Sequence, residues 1–127
     1  MGMTGSPLTF KRVHHVSINV TDADESIRFY RDVLELEPLQ RPPFEFAGAW
    51  FALGEQQLHL IEAPGFVAPV GQHFALFVDD IGATIEVLTE RGVQVSRVAE
   101  IPGVCLQAFF ADPTGNSIEL NQPLTST

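Results

Sequence analysis

The chain has 127 residues, 45% of them hydrophobic and 18% charged, and its mean hydropathy of +0.13 excludes a disordered polymer and fits one folded domain. Sixteen acidic residues against seven basic ones leave a formal net charge of -9, so neither nucleic acid nor a membrane surface is an expected partner. No apolar run nears the roughly 20 residues of a spanning helix. Residues 1–10 lack the apolar stretch of a signal peptide, and a lone Cys105 forms no internal disulfide, so the expected location is cytoplasmic.

The first predicted strand is His15–Val20, and Thr21–Asp22 closes it with a helix-capping side chain. A helix follows, with Ile27, Tyr30, Val33 and Leu34 at helical spacing. Asp22, Asp24, Glu25 and Asp32 read as caps and solvated acids, favoured near a helix N-terminus. The segment Gln40–Gly48, with Pro42 and Pro43, is irregular and reads as a loop or an edge. Strands are predicted around Ala49–Leu53 and Gln57–Ile61, before a Pro- and Gly-rich joint at Pro64–Gly71. The pattern then restarts with an apolar strand from His73 to Val78, Asp79–Asp80, and a helix carrying Ile81, Ile85, Val87 and Leu88. Gly92 occupies a C-cap position. Three more strands are predicted at Val93–Arg97, Leu106–Ala111 and Ser117–Asn121, the last two joined by the turn Asp112–Asn116.

These elements form an internal repeat. His15 matches His73, Val20 matches Val78 and Asp22 matches Asp80 at one constant offset, while Trp50 falls on Phe109 and His59 on Glu119 after short insertions. The predicted architecture is α+β: two βαβββ modules at 11–63 and 71–122, with tails at 1–10 and 123–127.

Strand alternation sorts the side chains. Val16, Ile18, Val20, Leu58, Leu60, Phe74, Leu76, Val78, Ile118 and Leu120 fall on apolar faces that pack on the helices. The opposite faces carry His15, His59, His73 and Glu119. If the repeats pack about a pseudo-twofold axis, these four meet in a single cleft, two from each half. Three imidazoles and a carboxylate suit a divalent ion such as Zn, Ni, Fe, Co or Mn and leave positions open for water or substrate. In a variant of this reading, His59 stands outside the metal as an acid/base group. His14 is expected on the apolar side, and Cys105 as an inert buried thiol. Trp50, Phe51, Phe109 and Phe110 are core candidates, although one face of their strands lines the cleft, and the pattern leaves open which. Gln107 and Phe77 are further candidate substrate contacts.

The segments Val13–Val16, Ser26–Leu34, Gln72–Asp80 and Asp112–Leu120 resemble the vicinal oxygen chelate superfamily, which includes glyoxalases, bleomycin and fosfomycin resistance proteins and extradiol dioxygenases. The resemblance spans residues 12–122. It implies a cup-shaped mixed sheet with helices outside, a divalent metal in the cup held by His15, His73, Glu119 and the position of His59, and a homodimer. The implied activity is that of a metal-dependent lyase or isomerase on a small oxygenated substrate, through an enolate or enediolate, with Glu119 and His59 in the catalytic roles. Fe(II) dioxygenase chemistry on His15, His73 and Glu119 is a second implied activity. A non-catalytic drug-binding protein, with Trp50, Phe77 and Phe109 lining the cup, is a third. Metal-dependent glyoxalases usually carry Glu where His59 stands. They also tend to carry a glutathione-binding Arg at the place of Asn19 and an Asn at that of Ala63, so the resemblance to them argues against a glutathione hemithioacetal.

Overall fold

A computed structural model describes residues 5–124. The first half runs β1 (His15–Val20), α1 (Ala23–Arg28, continued by a π-helical turn over Phe29–Val33), β2 (Glu37–Leu39), β3 (Gly48–Leu53) and β4 (Gln56–Glu62). The second runs β5 (His73–Phe77), α2 (Ile81–Glu90), β6 (Ala99–Ile101), β7 (Cys105–Ala111) and β8 (Ser117–Pro123). Each half builds a four-stranded mixed sheet, ordered β1-β4-β3-β2 and β5-β8-β7-β6, in which only the first pair is parallel.

The two helices begin by the same device. Asp22 and Asp80 each accept a backbone N–H from three residues ahead, at 3.0 Å in both cases. The first helical N–H of each is taken by the side chain at the end of the parallel strand beside it, Glu62 for Ala23 and Gln122 for Ile81, both at 2.9 Å. Four otherwise unpaired donors are thereby satisfied, and each helix is tied to its own sheet.

Both helices lie against the sheet faces that the alternation assigns to the core. Val20, Leu58, Leu60 and Phe51 of the first sheet join Ala108, Phe110, Ile118 and Leu120 of the second, with Tyr30, Ile81 and Leu88 from the helices, in one continuous buried cluster. Polar links cross between the halves. The Tyr30 hydroxyl donates to Asp112 at 2.7 Å, Arg91 donates to the Val33 carbonyl at 2.8 Å, and Asn116 donates to the Asn19 carbonyl at 2.8 Å.

Three expectations change. Val93–Arg97 is not a strand, because the Ser96 hydroxyl takes the Phe109 N–H at 2.8 Å and replaces a ladder bond; pairing with β7 resumes only at Ala99–Ile101. Glu37–Leu39 is a strand that the pattern misses, since Pro38 removes a ladder donor, which only an edge strand such as β2 tolerates. His14 is exposed, off the apolar side, with its Nδ1 3.0 Å from His15 Nδ1. Cys105 is buried, as expected. Among the described residues, no helix is long and apolar enough to cross a membrane.

Candidate functional site

The site residues sit on the sheet faces turned away from the shared core. In the first sheet, Trp50 of β3 lies directly opposite His59 of β4, and Ser17 of β1 opposite it on the other side. This register places the His59 ring between two others. Trp50 stacks on one face at 4.1 Å between centroids, and His15 stacks on the other at 4.2 Å. His59 is consequently buried to 8% exposure although it belongs to the outward face. Burial, followed by repulsion from His15 and His14, holds its pKa below the usual imidazole value, so the ring is biased towards the neutral form that a metal requires. Gln57, two residues back on the same face, places its Oε1 2.8 Å from His59 Nε2. That pairing makes Nε2 the protonated nitrogen and leaves Nδ1 with a lone pair.

The second sheet repeats the layout with different chemistry. Phe109 of β7 lies opposite Glu119 of β8, and Ala75 of β5 flanks it. His73 meets Phe109 edge to face at 5.3 Å and turns Nε2 toward Glu119 Oε1 at 3.0 Å. Asn121 donates to the other carboxylate oxygen at 2.7 Å. His73 Nδ1 faces the Gly71 carbonyl at 2.9 Å, which only accepts, so Nδ1 carries the proton. In a neutral ring Nε2 then presents a lone pair to a carboxylate lone pair. A cation between them, proton or metal, resolves that contact, and the donor types suit a first-row divalent metal.

The four predicted donors therefore come together as two pairs, His15 with His59 and His73 with Glu119. The single cleft within one chain is not formed: among the described residues, no three His, Cys, Asp or Glu side chains gather as a metal-ligand group. The reason is packing. Both sheets bury their other faces in one common core, which turns the donor faces outward from it. The aromatic ambiguity also resolves. Phe51 and Phe110 are in the core, while Trp50 and Phe109 share the faces of His59 and Glu119. Gln107 lies opposite Asn121, two positions from Phe109 on the same face. Phe77 is 73% exposed, opposite Asn121 on β8. Alternation puts Gln57 and Asn121 on the faces of His59 and Glu119 but does not reveal that they orient them; the signal is a polar side chain two positions from each donor on the same strand.

The glyoxalase/bleomycin resistance protein/dioxygenase superfamily model matches residues 12–120. The chain is 32% identical to Glyoxylase I 4 of Arabidopsis thaliana, over 91% of this chain and 73% of that protein. It is 31% identical to lactoylglutathione lyase of Haemophilus influenzae, over 85% of this chain and 90% of that one. Among solved structures, TnmS3, an antibiotic binding protein from Streptomyces, superposes with a TM-score of 0.74 at 29% identity, covering 91% of this chain and 98% of that one. With the repeat, the two mixed sheets and the matched span in agreement, the chain belongs to the glyoxalase/bleomycin resistance protein/dioxygenase superfamily.

Proposed function

We propose that this protein is a metal-dependent lyase or isomerase of small carbonyl compounds bearing two adjacent oxygens, working as a homodimer. Each site takes His15 and His59 from one chain and His73 and Glu119 from the other. The observation that carries this reading is the division of the donors into two outward pairs at repeat-equivalent positions, each half a ligand set. A twofold dimer that brings unlike halves together contains two equal sites. The bound metal would act as a Lewis acid on the paired oxygens of the substrate. Glu119 is the base for the proton next to the carbonyl: it is buried, Asn121 fixes Oε2, and Oε1, which lies 3.0 Å from His73 Nε2, would receive the proton on leaving the metal. His59, held flat between Trp50 and His15, supplies a neutral imidazole on the opposite wall.

Complementation tests this arrangement. A chain with His15→Ala and His59→Ala, and a chain with His73→Ala and Glu119→Gln, are each expected to lose metal and activity as homodimers. Coexpressed, mixed dimers recover one intact site each, or about a quarter of the wild-type sites in a statistical mixture. Full metal content in either variant alone, or no recovery in mixed dimers shown to form, overturns the reading. Glu119→Gln alone should lower turnover by about 10²- to 10⁴-fold.

A second reading rests on the likeness to an antibiotic binding protein: the cup holds a ligand without turning it over. Undiminished ligand affinity after metal removal, with no turnover at any metal loading, favours it.

A further inference from the structure

The loop between β2 and β3 carries an aromatic group that the donor pairs do not explain. Phe44 and Phe46 stack in parallel, with centroids 5.0 Å apart and planes 9° off. The Arg41 guanidinium lies 4.9 Å from each ring centroid and donates to the Phe46 carbonyl at 2.6 Å. This is a built feature: a cation clamps two rings side by side on a loop that Pro42 and Pro43 stiffen. Yet both rings stay open to solvent, at 44% and 45% exposure. Phe44 in turn approaches Trp50 at 6.2 Å, and Trp50 stacks on His59. Aromatic rings thus run without a break from the loop to the His15/His59 pair.

Exposed rings ordered by a cation and joined end to end with a candidate metal half-site suit a flat apolar ligand group more than a flexible charged peptide. We propose that Arg41, Phe44 and Phe46 form the specificity wall of the site and that the non-reacting end of the substrate is an aromatic ring. This rests on the proposed function for the location of the reacting end, but the ring contact itself requires no metal.

The chain contains a single tryptophan, so intrinsic fluorescence reports Trp50 alone. The test compares mandelate with lactate, which share a 2-hydroxy acid and differ in phenyl against methyl, by fluorescence titration of the full chain with and without Mn(II). Mandelate is expected to quench Trp50 and to bind about tenfold more tightly than lactate, the scale of one aromatic contact. Phe44→Ala with Phe46→Ala should abolish that ratio and leave lactate affinity in place. Equal affinities in the wild type, or a ratio that survives the double substitution, overturn the proposal. So does a shift from dimer to monomer in the double variant by sedimentation, which would assign the rings to an interface between copies. A preference for mandelate that persists without metal, in a protein that loads none of Zn(II), Ni(II), Fe(II), Co(II) and Mn(II), overturns the metal-dependent function and leaves the ring wall standing.

Discussion

Tyr30 is one of the residues that join the two halves. Its ring is fully buried, and its hydroxyl donates to Asp112, which also accepts from the backbone N–H groups of Thr114 and Asn116 and from the Asn116 amide. Burial first, then the Asp112 charge and hydrogen bond, push the phenol far above its ordinary range. The folded value exceeds the unfolded one, so this contribution to stability is complete below about pH 10 and is lost as pH rises beyond it, where only the unfolded chain ionises. Because Tyr30 is the single tyrosine, ultraviolet absorbance reads it directly. No tyrosinate is expected in the folded protein near pH 10, and its appearance should coincide with unfolding. A normal titration in protein that remains folded would refute this. Tyr30→Phe should flatten the alkaline fall and cost about 1 kcal/mol at neutral pH, since Asp112 keeps its other donors. Little of this was legible in the sequence. Helical spacing marks Tyr30 as inward-facing, but only the tertiary fold brings Asp112, 82 positions away, to its hydroxyl.

At the scale of elements, period-two alternation was legible wherever one face is apolar and the other polar, as in His15–Val20 and Ser117–Asn121, and it put His15, His59, His73 and Glu119 on the faces turned away from the core. It was silent where both faces are aromatic: Trp50–Phe51 and Phe109–Phe110 look alike until a core selects Phe51 and Phe110. It misplaced β6 because a side-chain hydroxyl, invisible to a hydrophobic pattern, substitutes for a backbone bond at Ser96. The end of the aromatic loop depends on backbone crowding. A Cβ on Gly48 would collide with the Leu60 carbonyl and come within 3.3 Å of the Arg41 guanidinium. Gly48→Ala should therefore cost about 1–3 kcal/mol and loosen the loop, measured as a lower thermal midpoint together with altered Trp50 fluorescence. By contrast, Asp80→Ala removes one helix cap and should cost about 1 kcal/mol, with the fluorescence of Trp50 unchanged.

For the molecule as a whole, the repeat was legible from matched positions alone. How the halves combine was not. Alternation states which face a side chain occupies within its own sheet, whereas the partner of that face depends on how two sheets are packed. Here the apolar faces of both sheets and both helices share one core, and the donor pairs stand outside it. Folding and site assembly are, under the proposed function, separate events with separate driving forces: apolar burial within a chain for the first, pairing of chains for the second. Under the proposed function, a dilute solution of this protein would be fully folded and catalytically silent. Dilution below the dimer dissociation constant should leave the circular dichroism spectrum intact while activity per chain falls in proportion to concentration, so the amount of protein made would itself set whether the chemistry is switched on.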